Sequence, residues 1–113
     1  MRSDTERLQD MMLAVDRILE KTRRGRETFK QDEMLQVWVL HHLQILGEAA
    51  RCLSQEFRQR HSEKVWSQAA GLRHILVHHY FEIDAEQVWN VVEHDLPALR
   101  ETVIKILSEK GLQ

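Results

Sequence analysis

The chain has 113 residues, 16 Lys and Arg against 18 Asp and Glu, a net charge of −2, and 42% apolar with 30% charged residues. That length admits one domain with one core, and the composition excludes both a disordered polyelectrolyte and a bulk polycation for nucleic acid. The single cysteine, Cys52, excludes an intramolecular disulfide. With no signal-like core in "MRSDTERLQD" and no apolar run near the ~20 residues of a membrane span, the expectation is a soluble cytoplasmic protein.

Helical periodicity runs through the whole sequence. Ser3 with Glu6 makes a capping-box pattern, and Leu8, Met11, Met12, Val15, Ile18 and Leu19 follow one apolar stripe, so a first helix is predicted, closed near Gly25. After it comes "EKTRRGRETFK", in which Lys21, Arg23, Arg24 and Arg26 suit a solvated loop past a helix C-terminus or contact with an RNA backbone. A long second helix is predicted from about Asp32 to Arg60. Its apolar positions, among them Leu35, Trp38, Val39, Leu43, Ile45, Leu46, Leu53 and Phe57, are spread widely enough to serve two neighbours.

Ser62 is the candidate cap of a third helix over 64–79, and Asp84 with Gln87 caps a fourth that carries Val88, Val91 and Val92. The sole proline, Pro97, either opens a fifth helix capped by Asp95 or kinks one longer helix. The expected fold is all-α, an antiparallel bundle of four to five helices forming a single domain over residues 1–113. The surplus apolar face on the second helix points to a twofold homodimer.

The polar residues of the third helix carry the chemistry. The stretch "GLRHILVHHYFEID" holds Arg73, His74, His78 and Tyr80, the only tyrosine. Histidine titrates near neutrality and can move a proton to or from a ribose or leaving oxygen, while arginine braces the extra charge of a phosphoryl transition state. This is the side-chain set that RNA cleavage without a metal requires. Arg73 and His78 sit roughly 140° apart around a helix. A straight helix therefore does not aim both at one point, and two facing copies would bring both pairs into one cleft.

Other readings compete at each position. His74 and His78 have the spacing of a two-histidine metal clip, with His41 and His42 as further donors, yet no cysteine or carboxylate completes a recognised pattern, so no metal and no cofactor is expected. In Gly47-Glu48-Ala49-Ala50 the small residues suit close approach of a neighbouring helix, and Glu48 is a possible orienting partner for Arg73. Trp38, Trp66, Trp89 and Cys52 read as core residues.

Beyond these residue-level patterns, "IL-GEAA-R-LS" at 45–54, "W" with "GLR---VH-YF-ID" at 66–84, and "VW-VVE-DLP-L" at 88–99 resemble the HepT-type toxins of the HEPN superfamily over about half the chain. The resemblance implies an all-helical, metal-independent endoribonuclease acting at a composite dimer cleft and paired with an MntA-like nucleotidyltransferase antitoxin. It implies Arg73 and His78 as the catalytic pair, transesterification through the ribose 2′-hydroxyl to a 2′,3′-cyclic phosphate, and Tyr80 as the tyrosine that the antitoxin modifies with AMP. His74 departs from the family's pattern, which often has asparagine there, and "HSEKVW" lacks the family's proline. RNA, such as tRNA or mRNA, is the expected substrate, and no membrane partner is expected. The alternative is a non-catalytic helical subunit that binds a minimal nucleotidyltransferase, and loss of RNA cleavage on changing Arg73 would separate the two.

Overall fold

A computed structural model describes residues 2–72 and 84–111, and every regular element among them is helical. The first, α1 (Asp4–Lys21), begins as its sequence dictates. The Ser3 hydroxyl accepts from the Glu6 N–H at 3.2 Å, and the Ser3 N–H donates to Glu6 Oε1 at 3.0 Å. That backbone hydrogen bond from Ser3 is the main reason the Glu6 carboxyl lies below the ordinary carboxylate range. Leu8, Met11, Ala14, Val15 and Ile18 are buried along one face. The helix stops where the Thr22 hydroxyl donates to the Ile18 carbonyl at 2.8 Å, and Gly25 then takes φ 93°, a conformation that favours glycine.

A short helix, α2 (Arg26–Gln31), occupies part of the segment read as a basic loop. Its one fully buried residue is Phe29, against Trp89 with ring centroids 5.6 Å apart. Six residues are too few for periodicity to show, so tertiary contact rather than local pattern explains the element. The Gln36 side-chain amide donates to the carbonyls of Phe29 and Lys30, which satisfies the end of α2 from the next helix.

The expected helix over 32–60 is two helices. α3 (Glu33–Arg51) is capped by Asp32, whose carboxylate accepts from the Leu35 N–H at 3.0 Å. α4 (Gln55–Arg60) starts anew after Ser54. Ser54 accepts from the Phe57 N–H at 3.1 Å, while its own N–H and hydroxyl donate to the two Asp4 oxygens at 2.8 and 2.6 Å. A serine that finds such partners offers the backbone a better alternative than continuing the helix. The same clasp sets the end of α3 beside the start of α1, so those two helices run antiparallel.

α5 (Glu63–Gly71) follows Ser62, which has φ 39° and makes no side-chain capping bond, contrary to the expectation from sequence. The corner is held by aromatic packing instead. The Trp66 indole N–H donates to the His61 carbonyl, and Phe57 lies 4.5 Å from His61 and 5.3 Å from Trp66 between ring centroids.

Asp84 caps α6 (Ala85–Asn90) by accepting from the Gln87 N–H at 3.2 Å, as expected. The helix then continues through a π turn (Val91–Asp95) into α7 (Leu96–Glu109). Of the two readings of Pro97, the continuous helix is observed. Asp95 is itself helical (φ −77°, ψ −41°) and makes no capping bond. In a regular α-ladder Pro97 would leave the Glu93 carbonyl without a donor and press its ring against it. The π turn shifts the ladder by one residue, with the Leu96 N–H donating to the Val91 carbonyl.

α3 is central, packed against α1 and α5, with α7 lying on α1 and α2 bridging α3 and α6. Leu43, Leu46, Phe57, Trp66, Val88 and Leu96 meet in a continuous core. Burying each such side chain stabilises the fold by about 1.5–3 kcal/mol before entropy is counted. Trp66 and Trp89 are buried as expected, whereas Trp38 and Cys52 are only half-buried. Among the described residues no helix is long and apolar enough to cross a membrane.

Candidate functional site

Arg73, His74, His78 and Tyr80 lie outside the described residues, and the structure gives the frame on either side of them. On the entry side α5 leads through Leu72 directly into Arg73. Trp66 and Ala69, 1% and 3% exposed, anchor that helix in the core. On the exit side Asp84 caps α6, and Glu86 receives two cations from α2. Lys30 Nζ is 2.6 Å from Glu86 Oε1, and Arg26 pairs with the other oxygen. The hydrogen bond from Lys30 is the main reason the Glu86 carboxyl lies below the ordinary range; burial opposes it, and the hydrogen bond from Arg26 adds to the lowering. Arg26 of the basic cluster therefore has a structural partner, while Lys21, Arg23 and Arg24 are exposed at the same end of the fold.

Glu48 is the one candidate site residue the structure describes. It is half-buried on α3, where its Oε1 lies 2.6 Å from Arg51 Nη2, and Cys52 Sγ is 3.8 Å away. The Glu48 interaction raises the Arg51 pKa, through its hydrogen bond first and its charge second. Gly47, Ala49 and Ala50 around it are buried on the helix that α5 packs against, which fits close approach of helices.

His42, considered as a metal donor, is 7% exposed and has a structural role. Its Nδ1–H donates to the Trp38 carbonyl at 2.9 Å and its ring lies 4.0 Å from the Trp38 ring. Among the described residues no cluster of three or more histidines, cysteines or carboxylates could hold a metal ion.

Two further features lie outside that set of candidates; the first was not legible from the sequence, while the second was expected there as a surplus apolar face. The first is a cavity of about 500 Å³ between the end of α5 and the π turn, bounded by Leu72 on one side and by His94 and Asp95 on the other. His94 Nε2 lies 3.7 Å from Glu93 Oε1, and Glu93 Oε2 accepts from the Trp89 indole N–H at 2.5 Å. The signal was the proline: a π turn that accommodates Pro97 also redirects the residues before it, yet Asp95 reads as an ordinary cap. The second is an exposed apolar stripe on α3, with Met34, Val37 and Ile45 at 84%, 54% and 40% exposure. Its positions are spaced so that they share one helical face.

Comparison with known proteins gives a consistent family. Residues 11–106 match the family described as ribonuclease HepT-like. A relative from Thermococcus cleftensis named "Probable ribonuclease HepT" is 35% identical over 88% of this chain and 91% of its own length. "Putative RNase MJ1380" of Methanocaldococcus jannaschii is 32% identical over 85% of this chain and 89% of its own. A second protein of that organism, "Gamma-glutamylcyclotransferase and putative RNase MJ0434", is 33% identical over 90% of this chain, which spans 46% of that relative. No solved structure matches the chain.

Proposed function

The chain belongs to the HepT-like ribonuclease family, and from that premise we propose that it is the toxin ribonuclease of a toxin–antitoxin pair. Arg73 and His78 cut RNA without a metal ion. The ribose 2′-oxygen bonds to phosphorus, the bond from phosphorus to the 5′-oxygen breaks, and a 2′,3′-cyclic phosphate is left on one product. The 2′-hydroxyl loses one proton and the leaving 5′-oxygen gains one. His78 moves a proton as general acid or base, and Arg73 stabilises the charge that gathers on the phosphoryl oxygens. His74 and Glu48 act in supporting roles.

The cleft is completed by a second copy of the chain. The exposed stripe of Met34, Val37 and Ile45 on α3 supports a homodimer, since a run of large apolar side chains on one helical face invites a covering partner. Tyr80 is the off-switch. Transfer of AMP from ATP to its hydroxyl by an MntA-like nucleotidyltransferase antitoxin, with pyrophosphate leaving and the phenolic proton lost, would add phosphate charge and nucleotide bulk two residues from His78 and exclude RNA.

The observation that carries this reading is the family match over residues 11–106, which contains Arg73, His78 and Tyr80 in sequence. The test is product chemistry with protein whose intact mass shows no AMP. RNA fragments ending in cyclic phosphate support the proposal. Fragments with a free 3′-hydroxyl beside a 5′-phosphate would contradict attack by the 2′-oxygen.

A further inference from the structure

We propose that the cavity between α5 and the π turn is a nucleobase subsite, in which Asp95 and His94 read a base of the RNA whose backbone Arg73 and His78 engage. The inference rests on the ribonuclease reading above and adds to it a binding site and a substrate preference.

Three observations converge on this site. The cavity of about 500 Å³ falls within the range of small-ligand sites, roughly 300–1,000 Å³, and has room for an unstacked base. Its walls are mixed in the way a base requires. Val65, Leu72 and Leu99 bring apolar side chains to the lining, and His94 and Asp95 are its titratable residues. Leu72 is also bonded to Arg73, and consecutive Cα atoms are about 3.8 Å apart, so the cavity wall leads straight into the catalytic segment.

Asp95 is the informative residue. It stands where an N-cap was expected, yet it is helical and caps nothing. The π turn has shifted the helix ladder by one residue and leaves Asp95 on the cavity lining. Such turns recur at functional sites because they redirect side chains within a continuous helix. A carboxylate repels the phosphate backbone, so on the lining of a cavity that takes RNA it suits a base edge. There it accepts from an exocyclic amino group, as aspartate does from cytosine N4. Single-stranded RNA is read by splaying a base out and bonding its Watson–Crick edge. The site should therefore favour cytosine, adenine or guanine over uracil, which has no amino group. His94, whose Nε2 lies 3.7 Å from Glu93 Oε1, supplies a second polar contact.

The test first maps the cut on a mixed-sequence RNA, then varies the bases flanking it one at a time. Wild-type protein should cut the best amino-bearing substrate about tenfold more efficiently than its uracil counterpart, the scale of one good base contact. Asp95→Asn should flatten that ratio. Ala98→Phe, which fills the cavity from α7, should raise KM for every substrate. Anisotropy with 2′-O-methyl versions of the same RNAs, which cannot be cut, reads binding without catalysis, and circular dichroism checks that each variant is folded. If wild type cleaves but shows no base preference, or Asp95→Asn keeps the preference, the subsite is overturned and the ribonuclease reading stands. If wild type does not cleave yet binds RNA in a way that Asp95→Asn alters, the base site stands and the ribonuclease reading falls. If neither cleavage nor binding occurs, both are overturned.

Discussion

At the scale of single residues, the structure separates groups that shape the fold from groups free to act on a ligand. Glu86 belongs to the first kind. Its carboxyl is held low by Lys30 and Arg26, so its contribution is present above the ordinary glutamate range and is lost as pH falls through the depressed folded value. Urea midpoints should accordingly fall more steeply for wild type than for Glu86→Gln on going from about pH 5 to pH 3. Parallel curves would show that the α2–α6 clasp does not contribute. Trp66 is also structural: 1% exposed and tilted against Phe57, it should cost about 3–5 kcal/mol when changed to alanine, measured by chemical denaturation. Arg73, His78 and Tyr80 were offered as site candidates by the sequence, through the type and order of their side chains, and lie outside the described residues. His94 and Asp95 were not, because a pattern of residues gives no sign of a cavity formed between α5 and a distant π turn.

At the scale of elements, two of the caps expected from the sequence are used: Ser3 and Asp84 each accept from a backbone N–H in the first turn of a helix, as does Asp32, which the sequence offered only as the start of one. Ser62 does not, because its left-handed backbone and the Trp66–His61 hydrogen bond settle that corner another way. The long predicted helix over 32–60 failed for a tertiary reason: its apolar stripe continues from Leu53 to Phe57, but Asp4, fifty residues upstream of Ser54, captures the serine and breaks the ladder. Ser54→Ala removes a cap and this clasp together. It should lower stability by about 1–2 kcal/mol, and Asp4→Ala should recover much of the same loss in equilibrium unfolding. A full additive loss in the double variant would show that the two residues act independently. Pro97 shows the complementary limit. Its missing N–H announces a disturbance in the helix, while whether the chain restarts or loosens into a π turn depends on packing.

At the scale of the whole molecule, one face of the central helix remains apolar and uncovered, and the proposed cleft needs a second copy. Met34→Glu combined with Ile45→Glu places charges where the side chains are 84% and 40% exposed, so the monomer fold should survive. Light scattering should show dimer converted to monomer, with cleavage lost at the same time. A monomeric variant that still cuts RNA would refute the composite cleft. The overall helical architecture was readable from periodicity because α1 and α3 are long enough for their apolar positions to repeat at helical spacing, whereas a partner surface shows in sequence only as surplus hydrophobicity. The central claim is most directly tested by RNA cleavage in EDTA by AMP-free protein, beside Arg73→Ala and His78→Ala. Cleavage by the wild type that both variants lose is the predicted result. No cleavage of varied RNAs by an AMP-free dimer, or cleavage that survives both substitutions, would contradict it.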